Sequence, residues 1–172
     1  VDMDAVNSSS DGLITNGMSS PESEFQGLIY PAFQEPATSI SHTNMAKIAK
    51  SRGADTLARI CGNIAGDERR HGGFYLAVMQ EMMKLEPERT LEAYAALMQS
   101  GITMPAENMT DGDSVEHPTL FQRFSAVASR IGIYTLRDYA DITEKLNNAV
   151  GVAKASVGGA AQKAQDYLSG LP

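Results

Sequence analysis

The sequence has no tryptophan, and aromatic residues together make up only 6% of it. A core must therefore be built from aliphatic side chains and from Met, of which there are nine. Met fills irregular gaps between helices and also suits a pliable wall around a long apolar ligand. Cysteine is nearly missing: Cys61 is alone, which excludes an intrachain disulfide and fits a reducing compartment. No apolar run approaches the roughly 20 residues of a membrane-spanning helix. Positive charge is in deficit, with 14 Lys and Arg against 21 Asp and Glu, a net of −7. Binding to phosphate backbones or anionic membrane surfaces needs clustered Lys and Arg, so neither nucleic acid nor membrane is an expected partner. Strand-like alternation and short repeats are also lacking. What remains is ordinary globular composition, 42% hydrophobic and 20% charged, in 172 residues, enough for one domain with a real core. The chain opens on Val1 with no recognisable leader, as a processed chain or a fragment would. The sequon Asn7-Ser8-Ser9 stands alone as a hint of secretion.

Helical spacing dominates the rest, and the expected class is all-α. Residues 1–28 are polar and weakly structured, with at most a poor helix over 3–14. A helix over 30–52 is expected to start near Pro31, a residue suited to a first turn, and to stop at Gly53. Asp55 can cap the next helix, which runs to Leu85. In it Leu57, Ile60, Cys61, Ile64, Glu68, His71, Tyr75, Val78, Met79 and Met82 recur at spacings of three and four, a stripe expected to face a core. Pro87 opens a further helix that ends before Gly101. A polar loop over 101–118 follows, then helices over 120–131 and from a Thr135 cap with Asp138 three residues on. Residues 149–161 are Ala/Gly/Val-rich, and a short helix over 160–168 closes the chain.

The segment that carries chemistry is Asp67-Glu68-Arg69-Arg70-His71. Glu68 and His71 are three apart and share a helix face. A carboxylate and an imidazole on an apolar stripe are costly to bury unpaired, and a metal ion removes that cost. A lone Glu-x-x-His is also common as a satisfied surface pair. Glu35, Thr38, His42 and Met45 share a face on the preceding helix, which a short connection makes an antiparallel neighbour. One Glu from one helix and a Glu-x-x-His from the next is half of the recipe for a carboxylate-bridged di-iron site. The chain has no second Glu-x-x-His: Ser39 stands three before His42, and Ser114 three before His117.

Several segments in one order carry a family resemblance. Phe33-Gln34-Glu35, Ala37-Thr38 and Ile40-Ser41-His42 are followed by Ile60-Cys61-Gly62 and Asp67-Glu68-x-Arg70-His71. Met104-Pro105-Ala106, Phe124-Ser125-Ala126-Val127-Ala128, Tyr139-Ala140-Asp141-Ile142 and Gln162-Lys163-Ala164-Gln165-Asp166-Tyr167 complete the series. Together these resemble the C-terminal half of plant-type acyl-[acyl-carrier-protein] desaturases. The resemblance implies a ferritin-like di-iron helical bundle of which residues 1–172 are one part, with ligand-bearing helices over 30–99 and C-terminal helices over 119–170. It implies Glu35 as a terminal iron ligand, Glu68 as a bridge and His71 as a ligand to the iron that Glu35 binds. It places Thr38 beside the oxygen-binding face, and Asp67 and His42 around the ligands. The implied reaction inserts a cis double bond into a saturated chain on acyl-carrier protein, using Fe²⁺, O₂ and electrons from ferredoxin. A homodimer in the plastid stroma is the implied setting, a bacterial cytoplasm being the weaker choice.

The chain departs from the family where Pro36 follows Glu35 in place of Arg, and where Gly72-Gly73 follows His71 in place of Glu-Thr. It also looks truncated at both ends, so three ligands amount to half a site. Two other readings follow: a truncated, non-catalytic helical interaction module for carrier protein or a full-length subunit, or a half-bundle whose two copies pool their ligands. An uncovered helix face should make the isolated chain poorly soluble or oligomeric.

Overall fold

The computed structural model describes residues 24–102 and 120–171. The weak helix over 3–14, the sequon, Met104-Pro105-Ala106 and most of the loop over 101–118 lie outside them. The described residues form six α-helices: α1 (Glu24–Ser51), α2 (Asp55–Leu85), α3 (Pro87–Ser100), α4 (Leu120–Arg130), α5 (Leu136–Val150) and α6 (Gly159–Ser169), with a 3₁₀ turn at Val152–Lys154. No strand occurs among them, so the all-α expectation holds.

The largest departure from expectation is α1. It begins at Glu24, so residues 24–28 are helical and Pro31 is not in the first turn. Pro31 and Pro36 both lie inside the helix. Each removes one backbone hydrogen bond, and a Pro in a helix interior costs about 3 kcal/mol. A buried face of Ile29, Ala32, Phe33 and Ala37 runs through both positions, and this packing holds the helix together. Gly53, at φ 74°, makes the tight turn into α2. The capping residue there is Ala54, not Asp55, and no side chain caps the helix. Asp55 is already the first helical residue, where its charge suits the helix dipole, and Lys50 Nζ bonds to it at 2.7 Å.

α1 and α2 form the main antiparallel pair. Against it pack α3 and α5, and α6 covers α3. The core is aliphatic with few rings: Ile29 and Phe33 of α1, Met79 of α2, Leu91 and Tyr94 of α3, Ile142 and Leu146 of α5, Leu168 of α6. Phe33 packs on Tyr139 with ring centroids 4.8 Å apart. Thr135 and Asp138 form the expected reciprocal cap at the start of α5. The Ala/Gly/Val-rich segment is held from inside: buried Gln165 donates to the carbonyls of Val152 at 2.7 Å and Ala155 at 2.8 Å. α4 contributes only Ala128 to the buried set among the described residues.

The stripe on α2 is corrected in one respect. Its buried residues are Cys61, Ala65, Gly72 and Met79. The small residues Cys61, Ala65 and Gly72 let α1 and α2 approach closely, and Met79 fills the core further along. The larger apolar residues sit on the neighbouring face, where Leu57 is 45% and Ile60 49% exposed. Ligand-spaced residues therefore lie at an edge of the bundle, not in its centre.

Candidate metal centre

Glu35 comes from the middle of α1, and Glu68 and His71 from the middle of α2. Close packing of the pair brings one ligand atom from each within 4.8 Å of the others. His71 Nδ1 is 3.3 Å from Glu35 Oε2 and 3.5 Å from Glu68 Oε2. Metal–ligand bonds of about 2.0–2.2 Å put two ligands of one ion roughly 3–3.5 Å apart, so the spacing fits. The Glu35 and Glu68 side chains are largely covered, whereas His71 is 58% exposed, and the site opens on its side.

Two observations test whether these residues suit a cation. Glu35 Oε2 is buried with no hydrogen-bond partner. His71 Nδ1 lies 3.3 Å away and favours the charged carboxylate, but burial and Glu68 outweigh it. An orphaned buried carboxylate oxygen carries a desolvation penalty of the kind a metal ion removes. The Glu35 carboxyl is pushed up to about 7, first by burial and then by the adjoining Glu68, with His71 acting the other way. Two carboxylates and one imidazole nitrogen form a donor set suited to iron that must activate oxygen.

The other candidates are placed differently. Thr38 turns its hydroxyl back onto α1, donating to the carbonyl of Glu35 at 2.9 Å. Asp67 is exposed and pairs with Arg70 along the helix. His42 is half-buried two turns along α1 and is not one of the converging groups. Ser39, which no site reading singled out, is buried and donates to the carbonyl of Ala65 at 3.0 Å, tying α1 to α2 beside the ligands. A small polar residue on the buried face of a helix was the only sequence signal for it. Pro36 also proves to be a neighbour of Gly72, with ring carbons against the glycine's open side.

Residues 1–172 match the family described as Fatty acid desaturase. The chain belongs to the fatty acid desaturase family. It is 44% identical over 176 aligned positions to stearoyl-[acyl-carrier-protein] 9-desaturase 2, chloroplastic, of Arabidopsis thaliana, covering 100% of this chain and 42% of that one. It is 44% identical to acyl-[acyl-carrier-protein] desaturase 4, chloroplastic, of rice, covering 99% and 42%. It is 40% identical to acyl-[acyl-carrier-protein] 6-desaturase of Thunbergia alata, covering 100% and 44%. The chain thus spans less than half the length of these relatives. The all-α bundle agrees with the expected desaturase class, and among the described residues Glu35, Glu68 and His71 form a group that could hold a metal ion.

Proposed function

We propose that this chain supplies one half of the di-iron centre of an acyl-[acyl-carrier-protein] desaturase, in fatty acid biosynthesis. The observation that carries this is the convergence of Glu35, Glu68 and His71 on an unpartnered carboxylate oxygen. Similarity along the whole chain to proteins named as such desaturases supports it. Glu35 and His71 would hold one iron, and Glu68 would be shared with a second. Iron there would supply the O₂-dependent oxidation that, with two electrons from a donor, takes two hydrogens from a saturated acyl chain. The chain's own part is to hold three donors in place, keep Glu35 dehydrated, and fix α1 to α2 through Ser39 so that the donors stay aligned. Thr38 would lie beside the oxygen-binding face, Asp67 and His42 around the ligands, and residues 1–172 would form one part of a single bundle domain.

Acyl-carrier protein is the substrate carrier in this reading, ferredoxin the electron donor, and a homodimer in the plastid stroma the setting. The chloroplastic relatives support the compartment. A second reading is a non-catalytic helical module that binds carrier protein or a full-length subunit. The open apolar face of α2 favours it. Calorimetric titration with Fe(II) under anaerobic conditions separates the two. The metal reading expects saturable binding that Glu68→Ala abolishes, and background-level iron in reconstituted protein sinks it. Partner binding that survives Glu68→Ala supports the module reading.

A further inference from the structure

Pro36 and Gly72 each directly follow a proposed ligand, on opposite helices. Each is a poor residue for a helix interior when taken alone. The structure shows why they occur together. A Cβ added at Gly72 would meet Pro36 Cδ at 3.2 Å, Pro36 Cγ at 3.4 Å and Glu35 Cβ at 3.5 Å. The other glycines of α2 differ: Gly62 and Gly73 face open space, and Gly66 would meet only the far end of Arg70. Gly72 is also buried, whereas Gly73 is exposed. The ring atoms of Pro36 cannot swing aside as the end of a long side chain can. Pro36 Cδ is bonded to the backbone nitrogen, so pushing it moves the backbone of α1 at Glu35. The contact therefore acts on the 3.3 Å separation between Glu35 Oε2 and His71 Nδ1. A ligand set tolerates errors of only about 0.5 Å.

We infer that Pro36 and Gly72 are a matched pair of positioning residues: the proline ring seats in the notch left by the glycine and sets the helix approach that spaces Glu35, Glu68 and His71. The inference rests on the metal-centre reading for its consequence, and on packing alone for its geometry. It makes the two departures from the desaturase pattern one feature, and it predicts that they depend on each other.

The test is a double-variant cycle on the 172-residue chain, with Co(II) as an optical probe. Gly72→Ala should weaken Co(II) binding by 10- to 100-fold, the range typical of residues that orient ligands, and should alter the visible Co(II) bands. Pro36→Ala removes Cγ and Cδ, so the Pro36→Ala/Gly72→Ala double variant should recover most of the loss. Gly73→Ala, a helix-favouring change into open space, should leave affinity unchanged and raise the melting temperature. A purely structural role for Gly72 would make Gly72→Ala resemble Gly73→Ala, with affinity intact, and would overturn the proposal. Equal losses in Gly72→Ala and the double variant would overturn it too. If the wild-type chain does not bind Co(II), the metal reading fails separately. Amide resonances of the apo protein then decide the packing. Those of Glu35 and His71 should shift in Gly72→Ala and return in the double variant; resonances that stay in place in Gly72→Ala refute the pairing.

Discussion

The two long sides of α2 were built to different standards of closure. One side carries Cys61, Ala65, Gly72 and Met79, and all four are buried. The side next to it carries Leu57, Ile60 and Phe74, exposed by 45%, 49% and 61%. Over the first part of the helix the larger apolar residues are the uncovered ones and the small ones are packed, whereas Met79 further along is fully buried. Around the ligands, burial follows how near α1 can come, not how hydrophobic a residue is. Glu68 and His71 sit where the two sides meet, with Glu35 beneath them, so the site takes its rigidity from the closed side and its access from the open one. An uncovered stripe of Leu, Ile and Phe is a surface that another helix would fit.

The comparison can be broken most sharply in the core. Leu91 is fully buried, and Leu91→Ala should cost about 2–5 kcal/mol of unfolding free energy in a denaturant titration. A loss below that range would mean the closed side is loosely packed. The next effect concerns the site. Glu35→Gln should lower Co(II) affinity by more than roughly 100-fold, since loss of an outer partner alone costs 10- to 100-fold.

The same variant has an opposite effect on the apo protein. Glu35 is ordinarily near 4.5 and is pushed up to about 7 here. Between these values the folded chain keeps a proton that the unfolded chain has released, so this group's contribution to stability falls as pH rises through that window. Glu35→Gln removes the effect. Its melting temperature should exceed the wild type's by more at pH 8 than at pH 5, without metal. A gap that does not grow with pH would show that the carboxylate is not strained.

Thr135→Ala deletes one half of the cap on α5 and should cost about 1 kcal/mol. Smallest in stability is Ile60→Ser, expected within about 0.5 kcal/mol because the residue is half-exposed. Its effect should appear instead in sedimentation velocity, as reduced self-association. A monodisperse wild-type chain would remove the reason to treat that side as sticky.

Much of this was legible in the residues, for identifiable reasons. α2 runs from Asp55 to Leu85 because its repeat is long and Pro87 ends it cleanly. The Thr135–Asp138 cap is a local code that depends on four residues. Glu35, Glu68 and His71 could be grouped because helical spacing and a short connection fix which faces meet. α1 was read short because Pro31 mimics a start signal, while the burial of Ile29 and Phe33 that outweighs it is a tertiary effect. The covered side of α2 was misjudged because periodicity reports that a stripe exists, not what lies against it. The Pro36–Gly72 contact was invisible because each residue argues against a helix until the other is placed beside it.

Cys61 adds a practical consequence. It is the only thiol in the chain and is 5% exposed, on the packed side of α2. A thiol reagent reaches it only when the ligand-bearing helices separate. Labelling rates in native buffer would therefore time the breathing of that helix pair, one opening event per modified molecule when opening is rate-limiting. Added metal should slow the clock if it clamps Glu35 to Glu68 and His71.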